Sequence, residues 1–239
     1  MRTAGWLLLC FLCSYASADE TTKVSLNVVV AEFPPYIKDD GEQGVFIEVL
    51  NEVALEAGVV FNYLMAPWAR AQRMVQGNSD YLIAPLTRTE TRESQYQWVI
   101  PVLSDPYYLY QLAGIDPETI SDEGLILVQR ESPGLEYLQQ QGYASLFEIN
   151  SERLGARMLM NRRGTYWLAR EMVAYYLIEV EAPGQAPPLE SVLSFETEAM
   201  YLGAGQGVDQ SIIRQLRIAF EAIQQDGRYN AIIMRYRPQ

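Results

Sequence analysis

The sequence predicts an α/β protein built as two lobes. Three observations carry that expectation. Residues 24–84 run strand, helix, strand, helix, strand, the order of a parallel sheet covered by helices. A second strand–helix region begins at Leu125. Between the two lies an aromatic segment, Gln97 to Tyr110, interrupted by Pro101 and Pro106, which suits an extended crossing between lobes better than a continuous sheet.

The elements follow in order. Val24 to Ala31 is β-branched and uninterrupted, the pattern of a buried strand. Glu32-Phe33-Pro34-Pro35-Tyr36 ends it, and Asp39-Asp40-Gly41 reads as a turn. Val45, Val49, Val53 and Ala57 place one apolar stripe on a helix that Gly58 stops. Val59 to Met65 is the next strand, Trp68 to Gln76 a short helix ended by Gly77, and Tyr81 to Ala84 a third strand. Leu125 to Gln129 resumes the strand pattern. Ser132-Pro133 then opens a helix, with serine as cap and proline at the first helical position. Trp167 to Ile178 reads as an apolar-faced helix, and the Pro/Gly-rich stretch Ala182 to Pro188 separates it from Ser191 to Phe195. Asp209 caps the last long helix, whose stripe is Ile212, Leu216, Ala219, Phe220 and Ile223 and whose end is Gly227. No tandem repeat or low-complexity tract is present.

Residues 1–18 read as a cleaved export signal. Arg2 supplies the positive start, Trp6 to Tyr15 the apolar core, and Ala16-Ser17-Ala18 the small-residue exit. The stretch is too short for a stable membrane anchor. Both cysteines, Cys10 and Cys13, leave with it, and an exported chain without disulfides fits a bacterial periplasm. The remainder has 17 basic and 30 acidic residues, a net charge of −13. So acidic a surface disfavours nucleic acid and anionic membranes as partners, and a soluble monomer is expected. The 239 residues include no histidine, which removes histidine-based triads, histidine-ligated metals and the commonest general acid–base group.

Two short runs flank the third strand: Gln76-Gly77-Asn78-Ser79-Asp80 before it and Leu86-Thr87-Arg88-Thr89-Glu90-Thr91-Arg92 after it. Ligands of open α/β sheets bind beyond the carboxyl ends of the strands. Arg92 would present a planar fork of donors there, matched to a carboxylate, with hydroxyls from Thr87 and Thr89. The equally good alternative pairs Arg88 and Arg92 with Glu90 or Glu93 as solvated charges. Gly203-Ala204-Gly205-Gln206-Gly207 lacks dinucleotide spacing and reads as a loop, and Asp39 to Glu42 lacks a calcium-loop pattern. No cofactor, metal or catalytic pair is expected.

The order Phe33-Pro34-Pro35-Tyr36, Gly44 before a helix, Pro67-Trp68, Gly77…Asp80, Thr87-x-Thr89-Glu90-x-Arg92 and the ending Gln225-Asp226-Gly227-Arg228-Tyr229-Asn230 with Tyr236 resembles bacterial family 3 solute-binding proteins. The resemblance covers essentially the whole chain after the signal. It implies a two-lobed periplasmic binding protein type II fold, each lobe a mixed sheet flanked by helices and joined by a two-segment hinge. One lobe would span 19–109 plus 191–239 and the other 110–190. It also implies capture of a small carboxylate-bearing solute, an amino acid or related acid, for the permease of an ABC importer. Residue by residue, Arg92 falls on the arginine that pairs with the ligand carboxylate, Thr87 on a hydroxyl contact and Phe33 on an aromatic that packs over the ligand. Ser132 lies near a second-lobe helix start that holds a carboxylate. Tyr36 and Trp68 would complete the ligand wall. On this resemblance the family's second-lobe aspartate for the ligand ammonium is replaced, since the corresponding run is read as Arg163-Gly164-Thr165, and Thr165 cannot neutralise a buried cation. Glu32 is the candidate replacement, with an exposed loop acid as the plainer reading. Two other classes share the implied fold: a periplasmic enzyme acting on cyclic acids, which here would rely on an acid such as Glu32, and a solute receptor that signals to a membrane sensor.

Overall fold

A computed structural model describes residues 23–38, 41, 43–77, 80–114, 124–195 and 199–237. The export signal, the cysteines and Asp39-Asp40 of the expected turn lie outside the described residues. The first half begins with β1 (Ser25–Val30), α1 (Val45–Ala57), β2 (Val60–Met65), α2 (Trp68–Gly77) and β3 (Leu82–Thr87). A one-turn 3-10 helix, Glu90–Arg92, and β4 (Gln97–Leu103) follow. The chain then forms β5 (Tyr107–Leu112), β6 (Ile126–Gln129), α3 (Pro133–Gln140), β7 (Leu146–Ile149) and α4 (Glu152–Met160). It continues with β8 (Tyr166–Arg170), α5 (Glu171–Glu181), β9 (Leu189–Phe195) and β10 (Met200–Ala204), and ends with α6 (Gln210–Gln225) and α7 (Arg228–Tyr236).

These strands form two five-stranded mixed sheets, ordered β2-β1-β3-β10-β4 and β7-β6-β8-β5-β9. In the first, β1, β2 and β3 are parallel and β10 inserts antiparallel between β3 and β4. In the second, β6 is parallel to β7 and β8, while β5 runs antiparallel to β8 and β9. The central strands are buried on both faces: Leu82 to Leu86 and Tyr166 to Arg170 are buried throughout. Pro101 sits on β4 at the sheet edge, exposed, where a missing N–H costs no ladder bond.

The expected boundaries need correction. Breaks at 109/110 and 190/191 would cut β5 and β9, yet both strands pair entirely within the second sheet. The chain crosses between sheets from Leu103 to Tyr107 and again from Phe195 to Met200. A second correction concerns Trp167 to Ile178. Its first four residues belong to β8, and the helix starts only at Glu171. A strand buried on both faces is apolar without alternation, so its periodicity does not distinguish it from a buried helix. Gly203 and Ala204, expected in a loop, end β10.

The aromatic–proline turn is fastened to α1 through the backbone. The Val45 and Phe46 N–H groups donate to the Pro35 and Tyr36 carbonyls at 3.1 and 3.0 Å, partners that the first turn of a helix otherwise lacks. Gly44 makes this approach possible. Its φ is 123°, and a Cβ there would lie 2.3 Å from the Tyr36 carbonyl oxygen. Gly44→Ala should therefore lower stability by about 2–4 kcal/mol. Urea unfolding of the variant against the parent protein checks this.

Candidate functional site

The carboxyl ends of the parallel strands in both sheets converge on one cleft of about 300 Å³, the position at which open α/β sheets hold ligands. From the first sheet come Glu32 and Phe33 after β1, Trp68 at the start of α2, Thr87 at the end of β3, and Arg92. From the second come Tyr107, Gln129 to Pro133, Asn150 and Arg170. The structure thus brings Glu32, Phe33, Trp68, Thr87, Arg92 and Ser132 to the lining of one cleft.

Tyr36 and Thr165 are not among them. Tyr36 is fully buried beneath the turn, its ring edge-on to Phe33 with centroids 4.9 Å apart, and its hydroxyl donates to the Asp105 carboxylate. It supports Phe33 and does not face the cleft. Thr165 lines a different cavity with Leu125, Leu159 and Arg162, its N–H donating to the Leu125 carbonyl at 3.0 Å. Thr165 therefore has no bearing on a ligand ammonium in this cleft.

The two arginines left open by the sequence now separate. Arg88 pairs with Glu93 in a bidentate contact at 2.8 and 2.5 Å and lies 5.4 Å from the Trp98 ring, so it is a solvated, paired charge. Arg92 donates to the Thr87 carbonyl at 3.1 Å and stands 5.7 Å from the Trp68 ring. Among the described residues no carboxylate lies within ion-pair distance of Arg92. Burial pulls its guanidinium below the usual value, and the weaker influence of Tyr96, Glu136 and Tyr107 does not restore it. It remains a cation, partly desolvated and under-compensated. On the opposite wall Ser132 is buried and caps α3, accepting the Leu135 N–H at 3.1 Å.

The profile of bacterial extracellular solute-binding proteins, family 3, matches residues 26–239. The chain belongs to that family. No curated protein matches it at the sequence level. Among solved structures it is similar to an ancestral arginine-binding protein bound to arginine, at 17% identity over 90% of this chain and 98% of that one, with a TM-score of 0.72. It is also similar to the VFT2 domain of Bordetella pertussis BvgS, at 17% identity over 89% and 93% of the two chains, TM-score 0.74. A third likeness is to the ancestral amino acid-binding protein AncCDT-1, a precursor of cyclohexadienyl dehydratase, at 14% identity over 90% and 95%, TM-score 0.73. These likenesses are of fold.

In this family 3 protein the residue missed by sequence reasoning is Arg170, only 1% exposed at the carboxyl end of β8. It donates to the Asp105 carbonyl and, at 3.4 Å, to the Thr87 hydroxyl, and lies 4.4 Å from the Tyr107 ring. Burial alone would lower its guanidinium, but Tyr107, Tyr36 and Asp105 outweigh that and hold it above its ordinary value. The available signal was β8 itself: read as a strand, Tyr166 to Ala169 would have put Arg170 at a ligand-facing end. Glu152 was also missed. It is 7% exposed at the start of α4 and accepts the Trp167 indole N–H at 2.9 Å. Among the described residues no group of acids or cysteines is placed to hold a metal ion.

Two buried acids set a pH dependence. Burial raises the Asp105 carboxyl from 3.8 to about 6, against the opposing Tyr36 hydrogen bond and Arg170 charge. Burial likewise raises Glu152 from 4.5 to about 7, against Trp167 and Arg170. A carboxyl raised on folding binds more protons when folded, so its contribution is fully favourable below its unfolded value and is lost as pH rises through its folded one. Glu152→Gln should abolish the part of the stability change that lies between about pH 4.5 and 7. Urea unfolding of both proteins across that range checks it; parallel curves would count against the buried acid.

Proposed function

We propose that this protein captures a small carboxylate-bearing solute between its two sheets, outside the cytoplasmic membrane, and presents it to the permease of an ABC importer. The observation that carries the reading is Arg92: a partly buried guanidinium in the cleft with no acidic partner among the described residues. A carboxylate supplies the charge and the paired acceptors it lacks. Ser132 and the amino end of α3 face it from the second sheet, where a hydroxyl and backbone N–H groups add donors. Phe33 and Trp68 give the wall its shape. A ligand held from both sides favours the closed arrangement, because only that arrangement makes both sets of contacts. The apolar leader pattern of residues 1–18 supports action in the periplasm.

A second reading is favoured by the likeness to the BvgS VFT2 domain and to a histidine kinase sensor domain: the solute-loaded form would report to a membrane sensor. Neighbouring permease and ATPase genes support import, whereas a neighbouring sensor gene supports signalling. Both readings require the same capture step. A thermal-shift screen over amino acids, opines, aromatic acids and dicarboxylates finds the solute, since a ligand of the folded state raises the melting temperature. Calorimetry on that solute should then show Arg92→Ala weakening binding by about 2–5 kcal/mol. Unchanged affinity would remove Arg92 from the site and the reading with it.

A further inference from the structure

Beside the cleft lies a second cavity, of about 520 Å³, and the two share Glu32, Phe33, Trp68, Gln129 and Asn150 along a common wall. Their interiors differ in charge. In the first, the lining cations are Arg92, Arg170 and an exposed Arg130 that pairs with Glu148 at 3.1 Å, while the acids Glu32 and Glu131 are exposed at its edge. Asp105 does not line it, because its carboxylate is turned to the Tyr36 hydroxyl and the Met172 N–H. In the second, the inward charge is Glu152. One of its oxygens accepts the Trp167 N–H, and among the described residues the other accepts nothing. Arg153, also on that lining, is paired with Glu181 at 3.3 Å. The Phe33 and Trp68 rings border both cavities, and aromatic faces attract cations.

Resting on the carboxylate-capture reading, we propose that the solute is a bipolar acid whose carboxylate meets Arg92 and Ser132 in the first cavity and whose ammonium or guanidinium lies in the second, against Glu152. The cation is thus several bonds from the carboxylate and not on the carbon next to it. An ammonium beside the carboxylate would be desolvated near Arg92 and Arg170, with the acids of that lining, Glu32 and Glu131, only at its exposed edge. The same group in the second cavity meets a buried carboxylate that burial leaves reluctant to ionise, and a neighbouring cation favours the ionised form.

Calorimetry on the parent protein near neutral pH tests this with five probes of similar length: γ-guanidinobutyrate, δ-aminovalerate, valerate, glutarate and arginine. A distal-cation acid should bind at least about tenfold more tightly than valerate and than arginine. Glu152→Gln, whose side-chain carbonyl can still accept from Trp167, should reduce the advantage over valerate to about threefold or less. The parent-protein series stands whether or not that variant folds. Valerate binding as well as the distal-cation acids would overturn the cation subsite while leaving carboxylate capture intact. Tightest binding by arginine would overturn the exclusion of an adjacent ammonium, and tightest binding by glutarate would place a second acid where the cation is assigned. Failure of all five would overturn the distal-cation assignment and leave carboxylate capture to the thermal-shift screen, whereas binding indifferent to Arg92→Ala would bring down the capture reading itself.

Discussion

The geometry of the cleft depends on a buried knot around Asp105, at the first crossing between sheets. Its carboxylate accepts from the Tyr36 hydroxyl in the turn after β1 and, at 3.1 Å, from the Met172 N–H at the start of α5. Its carbonyl accepts from Arg170 at the end of β8, which also reaches the Thr87 hydroxyl at the end of β3. One residue thereby links the turn that carries Phe33, the strand end that carries Thr87 and the helix start of the opposite sheet. The groups are almost wholly excluded from water: Tyr36, Asp105 and Arg170 are 0, 2 and 1% exposed. Such a network is costly if any member loses its partner and rigid when all are satisfied.

That rigidity explains why two arginines in one cleft have different roles. Arg170 is enclosed by Tyr107, Tyr36 and Asp105, and its charge is largely answered by the protein. Arg92 stands on a single turn of 3-10 helix, with the Thr87 carbonyl and the Trp68 ring beside it, and burial costs it more than its neighbours return. The uncompensated charge is the one with most to gain from an anion. A binding constellation is held best by side chains locked through packing and hydrogen bonds, which the Asp105 network supplies beside the under-compensated Arg92.

Much of the fold was legible because periodicity and punctuation are local. Val45 to Ala57 shows a helical stripe, and Gly58 ends the helix at a φ of 67°. Ser132 and Asp209 cap the helices expected of them, accepting from Leu135 and Ser211. The losses have two causes. β8 is apolar on both faces, so its pattern matched a buried helix, and with it went the placement of Arg170 and the alignment that had singled out Thr165. β7, α4 and β10 were missed because they are short and, in α4, mixed with charge: Glu152-Arg153 and Arg157 obscure the buried Gly155, Ala156 and Leu159.

The sequence by itself determined the α/β class, the division into two strand–helix regions, the family and the position of Arg92 after a strand end. Those features are written in neighbours a few residues apart. Only the tertiary structure decided which polar groups face the cleft. Tyr36 turns inward because Asp105, 69 residues later, waits beneath it. Arg88 and Arg92, alike on paper, diverge because Glu93 can reach the first and no acid among the described residues reaches the second. Glu152 opens on a cavity whose wall combines residues 31–34 and 65–68 with Gln129, residues 150–153 and Leu177, segments far apart in the chain. Side-chain partnership across that distance depends on the packing of whole elements, which no local pattern encodes.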